Sequence, residues 1–396
     1  MRIQALFVMA LLATAAHAQT GCNDRLASPV LTVPLPAPPF GVAVSTDGCW
    51  VFVSMMNNSG GTGAGIAVLS RKSGRVDLVR TIPLPAPPTG IVLTHDGKLL
   101  IAAAIDKVVF LDVPCLMSGC AKPVAGSFSD GERMQSIYAN VTSDDTLLFV
   151  SEEAASAVTV IDLNHARRAG FGADSIIGKV PVGRAPIALT FSPDGRWLFT
   201  TSQVALKEWG WPAACKPEGR PNVSDLVNPE GAVMIIDVAR AKSDPAHAVA
   251  GRVPAGCSPV RMAISPSGER IYVTARNSNA VVAFDAGKLI SDPAHSRLGM
   301  APVGTAPVPI ALVGGGKTVV AGNSNRFAGG DSAQSLTLLD AAKIRGSEDA
   351  VIGNVPAGSF PRELRVSTDG RTLYLTNFGS NSLQVMDVGH LDPKRP

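Results

Sequence analysis

The sequence predicts an all-β fold, a seven-bladed β-propeller of four-stranded antiparallel blades whose ring is closed by an N-terminal strand. Three observations lead there. A turn motif of the type Ser/Thr-x-Asp-Gly recurs seven times at a period near 50 residues, the mark of a repeat architecture. Short β-branched and aromatic runs flank each turn, as antiparallel strands require. Glycine (39) and proline (30) are abundant while helix-type periodicity is scarce, so many turns must separate many short strands.

At the N-terminus, Arg2 precedes an uncharged apolar run from Ala5 to Ala16, and Ala16-His17-Ala18 puts small residues where a signal peptidase cuts. Residues 1–18 therefore read as a secretory signal peptide, and residues 19–396 as one propeller domain. No later stretch comes near the roughly 20 uninterrupted apolar residues of a membrane-spanning helix. The expectation is a secreted or periplasmic monomer with no membrane span. Residues 27–33 follow and read as a strand with no blade of its own.

The turns fall at Asp47-Gly48, Asp96-Gly97, Asp144-Asp145, Asp194-Gly195, Ser267-Gly268, Gly315-Gly316 and Asp369-Gly370, at intervals of 49, 48, 50, 73, 48 and 54. Glycine supplies the positive φ that a β-carbon resists. A third strand recurs as Val158–Asp162, Val233–Asp237, Val281–Asp285 and Leu383–Asp387, each ending in Asp. A fourth leads into the next unit, as at Ile177–Gly183, and four strands at this period make one blade. The seventh unit stops after its third strand, so residues 27–33 supply the missing one and cover an open sheet edge. The long interval belongs to blade four, whose insertion (203–231) carries Lys207, Glu208, Trp209, Trp211 and Cys215. Ordered loops beyond about 15 residues are usually lids or binding loops.

Ile271-Tyr272-Val273-Thr274-Ala275-Arg276-Asn277 and Leu373-Tyr374-Leu375-Thr376-Asn377 resemble the Tyr-Val-Thr-Asn signature of YVTN-type propeller repeats, over about residues 30–390. The resemblance implies the fold. It also implies that the connections between blades, and those between second and third strands, gather on one face around the channel mouth. It selects no activity, because lactonases, lyases, electron-transfer partners and binding proteins share such repeats.

Counting two residues past each blade-start proline gives the channel-lining position: Gly41, Gly90, Tyr138, Ala188, Arg261, Pro309 and Glu363. Most are small; Tyr138, Arg261 and Glu363 are not, and Arg133 and Arg362 lie adjacent. The turns after the second strands add Asn57, Asp106, Glu152, Glu153, Arg276, Asn277, Asn323, Arg326 and Asn377. Two functions compete. In a binding or accessory protein, the channel face and the blade-four insertion engage a protein partner or a small polar ligand. Tyr138, Arg133, Arg276, Asn277, Asn323, Arg326, Asn377, Trp209 and Trp211 are then the contact residues. In a lactonase- or lyase-like enzyme, Arg261, Arg276 and Arg326 would hold an oxyanion, with Glu363 or Glu152 as acid or base.

Six cysteines suit an oxidising compartment. Cys115 and Cys120 would staple one loop, and Cys22–Cys49 and Cys215–Cys257 are the pairings taken for the rest. Metal or haem ligation is the alternative, but there is no Cys-x-x-Cys-His and no Cys/His cluster. No cofactor is expected beyond one candidate, Ca²⁺ held by Glu152, Asn277, Asn323 and Asn377. A net charge of +3 with no basic run argues against nucleic acid. There is also no nucleophile elbow, phosphate loop or His-Glu-x-x-His motif.

Overall fold

A computed structural model describes residue 22 and residues 24–56, 63–220, 222–326, 334–346 and 348–391; residues 1–18, read from the sequence as a signal peptide, and Asn57 lie outside them. Seven four-stranded antiparallel sheets form the seven blades. Six are simple meanders running from the innermost strand outward, beginning at Pro39, Ile91, Ser136, Arg184, Pro259 and Pro307. The seventh is built from both chain ends. Its inner strands are Pro361–Val366, Thr372–Asn377 and Ser382–Asp387, and its outermost is Val30–Pro34, paired from Val30 opposite Met386 to Pro34 opposite Ser382. The closing strand thus starts three residues later than the sequence suggests, and Cys22–Cys49 ties the preceding segment to blade one.

The turn motif builds the same hydrogen-bonded corner in blades one to four and seven, a serine pair replaces it in blade five, and blade six turns on Gly314–Gly316 instead. In blade two, Thr94 Oγ1 donates to Asp96 Oδ1 (2.6 Å), which accepts the Lys98 amide (3.0 Å), and Gly97 takes φ +67°. Blade three departs for a reason. Asp145 occupies the left-handed position (φ +54°), and its carboxylate accepts the amides of His95 and Asp96 at 2.9 Å each. The residue that replaces glycine there pins the neighbouring blade's turn.

The aspartates that end the third strands have a structural role the sequence reading did not assign. Asp112, Asp162, Asp237 and Asp285 are N-caps, each accepting an amide three residues on at 2.7–3.0 Å. They start four short helices, Val113–Ser118, Leu163–Ala169, Val238–Ser243 and Ala286–Ser291. The repeated Ser-Asp-Pro-Ala-His lies in the same connections, where Pro245–His247 and Pro293–His295 form single 3₁₀ turns. Apolar side chains of adjacent sheets interdigitate to make a core between successive blades. One such core joins Phe149 and Val160 of blade three to Leu198 and Ile236 of blade four.

Candidate functional site

Residues on the inner strands are positioned by hydroxyl groups of the second strands. Thr274 Oγ1 accepts the Arg261 amide (3.2 Å) and donates to the Val308 carbonyl of the next blade (2.8 Å). Thr376 does the same for the Glu363 amide (3.0 Å) and the Phe40 carbonyl (2.9 Å), and Thr201 for Ala188 and Val260. Ser54 links Gly41 to the Thr89 carbonyl, and Ser151 reaches the Ile187 carbonyl. Each hydroxyl satisfies buried backbone groups while stitching one blade to the next.

This framework brings Arg261, Glu363 and Tyr138 together from three blades. Tyr138 Oη donates to Glu363 Oε1 (2.7 Å), and Arg261 Nη2 lies 3.0 Å from Glu363 Oε2. The Arg261 guanidinium stacks on the Tyr138 ring at 4.2 Å. Both charged side chains are at most 7% exposed. Burial, and after it the Glu363 carboxylate, pushes the Tyr138 phenol up to about 12, so it stays a donor at any physiological pH. Arg261 keeps Nε and Nη1 without a protein partner. Blade two makes room: a β-carbon on Gly90 would meet the Tyr138 ring at 2.4 Å.

The trio does not sit at an open mouth on the face of the blade connections, where the sequence places it. Phe40, Met56, Ile137, Ile187, Val260 and Val308 form one buried apolar cluster drawn from five blades, which can meet only at the axis. That plug lies at the start of the inner strands, and the trio is one step beneath it. Below the trio, a cavity of about 600 Å³ runs toward the Asp-Gly turns and opens on the opposite face. Its walls are mixed: apolar side chains from Ala139 and Leu189 to Ile310 and Leu364 alternate with polar ones, among them Asn140, His95, Thr190, Ser192 and Arg365. Arg365 Nε has no protein partner. Arg365 is on the same strand as Glu363 and two residues on, hence on the same face. That spacing was the available signal for it, and reading the channel at one position per strand missed it.

Above the plug, Glu218 of the blade-four insertion binds Arg276 through both carboxylate oxygens, one contact to Nε and the other to Nη2 at 2.7 Å. Gln203 Oε1 accepts a further Arg276 bond (2.6 Å), and Asn277 donates to the Lys216 carbonyl (2.9 Å). The insertion leaves after Val204, two residues later than the sequence suggests, and is tied down by Cys215–Cys257. Trp209 and Trp211 contact each other edge-on at 5.4 Å and join the core of blades three and four, with Arg252 over Trp209 at 4.6 Å. They pack the insertion onto its blade. Arg326 and Arg362 flank Phe360 at 5.7 and 5.6 Å.

The remaining candidates lie apart from these groups. Arg133 is exposed, in a loop with φ +56°. Glu152 is fully buried in blade three, bonded to Thr159 and to Lys179 Nζ (2.6 Å), and burial raises its carboxyl above the usual range despite those bonds. Asn323 donates to Ser335 and Thr337, and Asn377 to Ser382 and Gln384, within their own blades. Glu152, Asn277, Asn323 and Asn377 are thus engaged separately, and no group of three or more His, Cys, Asp or Glu suited to a metal occurs among the described residues. No helix is long and apolar enough to cross a membrane among them. All six cysteines are paired, Cys115 with Cys120 in addition to the two bridges above.

No protein-family profile matches the sequence, and no curated protein matches it. Among solved structures, a chain of Kuenenia stuttgartiensis hydrazine synthase is similar in fold, with a TM-score of 0.66 and 18% identity. The match covers 90% of this chain and 97% of that one. At that identity the likeness shows the propeller fold alone.

Proposed function

We propose that the protein is an exported binding propeller that takes a small carboxylate-bearing molecule into the channel well. One observation carries this reading: among the groups lining the well, two guanidinium ions, Arg261 and Arg365, face one carboxylate, Glu363, on a wall of mixed apolar and neutral polar side chains. The volume suits a small ligand held by a few convergent polar groups. A surplus guanidinium in a low-dielectric setting favours an anion, and its planar fork matches a carboxylate. Glu363 is already engaged by Tyr138 and Arg261, and Glu152 by Thr159 and Lys179, so neither offers the free base that a lactonase- or lyase-like reaction needs. Export is supported by the signal sequence and by three disulfides. The YVTN-type resemblance supports a repeat propeller of that kind, in which Tyr272 and Tyr374 are buried.

Titration calorimetry of the purified protein with small monocarboxylates and their matching amides tests the reading. The acids should bind and the amides should not, and Arg365→Gln should weaken the acids about tenfold or more, the worth of a charged hydrogen bond. Equal binding of acids and amides would overturn it. Mass spectrometry of the exported protein should show a chain beginning at Gln19.

A further inference from the structure

The opposite end of the channel, above the apolar plug, carries a cation that the well does not use. Arg362 makes no hydrogen bond or ion pair with any described residue, and its Nε is buried without a partner. Its guanidinium lies over Phe40 at 4.1 Å and beside Phe360 at 5.6 Å. Burial, followed by the nearby charges of Arg261, Arg326 and Arg276, disfavours its protonated form, with Glu153 a partial offset. Guanidinium groups nonetheless stay charged in proteins. A partly buried, unmatched cation among other cations is unfavourable until an anion joins it.

The residues around Arg362 define which anion. Phe40 covers one face of the guanidinium and Phe360 stands beside it, so the edge carrying the Nη donors is where a planar two-oxygen acceptor fits best. The molecule holds an internal precedent a short way off: the Glu218 carboxylate takes Arg276 through Nε and Nη2. Phe360 adds an apolar flank and packs on Phe378 at 5.3 Å. Phe360 sits in the left-handed region (φ +53°) just before its blade-start residue. The same backbone position holds Gln135, Ala185, Ser258 and Ala306 in four other blades, all likewise left-handed. Only blade seven places a bulky ring there, next to the unmatched arginine.

We propose that this end of the channel is a second binding site, separate from the well, in which Arg362 takes the carboxylate of a small aromatic acid whose ring lies against Phe360 and Phe378. Glu218 is the resident carboxylate of the same cluster, so its negative charge opposes the incoming ligand. Benzoate and acetate are the probes, titrated calorimetrically into wild type, Arg362→Gln, Arg365→Gln and Glu218→Gln at low ionic strength. Benzoate should occupy this site more tightly than acetate. Arg362→Gln should weaken it about tenfold or more, and Glu218→Gln should tighten it. Arg365→Gln should leave it unchanged, which separates this site from the well: loss in Arg365→Gln alone overturns this site, and loss in Arg362→Gln alone overturns the well. If Arg362→Gln fails to fold by circular dichroism, Arg362→Lys keeps the charge without the fork and should still bind several-fold more weakly. Wild-type affinity in either folded variant overturns the proposal, and equal affinity for acetate and benzoate overturns the part given to the rings.

Discussion

A single hydroxyl can do two jobs in this molecule, and Thr274 is the clearest case. It satisfies the Arg261 amide and the Val308 carbonyl, both buried and in different blades. Thr274→Val keeps the shape and strands both groups, so it should cost about 1–3 kcal/mol, read as a lower denaturant midpoint. Thr274→Ser should recover most of that. Asp96 offers a pH test. Burial pushes its carboxyl up, but bonds from Thr94, the Lys98 amide and Arg167 outweigh it and hold the pKa at about 2. A carboxylate depressed in the folded state adds stability above its unfolded pKa and loses it as pH falls through the folded one. Asp96→Asn should therefore destabilise at pH 7, by at most about 1 kcal/mol for so exposed a carboxylate, and by little near pH 2, measured by thermal melts across that range. At this scale the sequence exposed part of the site. Tyr138, Arg261 and Glu363 stand out because a crowded axis demands small residues at their position. Arg365 does not, because a lone charge late in a strand looks solvent-facing until the reach of the channel is known.

The blade-four insertion is an element held by covalent and ionic ties rather than by a strand ladder. Cys215–Cys257 closes a 42-residue separation, and Glu218 reaches Arg276 from inside it. Replacing both cysteines by serine should lower stability by about 2–4 kcal/mol and open the 205–230 segment to proteolysis while the blades remain protected. The short helices were hidden for a physical reason: six or seven residues are too few to display a 3.6-residue period. Their capping aspartates were visible as a repeat but looked like strand ends. Asp285→Ala should cost about 1 kcal/mol, detectable in the same melts, because it strands the Lys288 amide. The insertion's length was plain from the spacing of the turns. Its destination above the plug was not, since that depends on contacts with residues 42 or more positions away.

For the whole molecule, blade count and closure were legible because each rests on local turn chemistry repeated at a fixed period. The apolar plug was not. Phe40, Ile137, Ile187, Val260 and Val308 each look like an ordinary core residue, and only their convergence from five blades shows a sealed axis. That seal decides which face the well opens on. Removing residues 24–34 should leave Ser382–Asp387 as an unpaired edge, and the truncated protein should elute in larger species than the intact chain on gel filtration. The borrowed strand also has a consequence for timing. The first strand to be made waits for the last, so six blades can stack before the seventh has its outer strand. An emerging chain therefore remains a horseshoe with one sticky tip until Ser382–Asp387 has been made. A short peptide copying Val30–Pro34 could occupy that tip in trans and trap the ring in its open form.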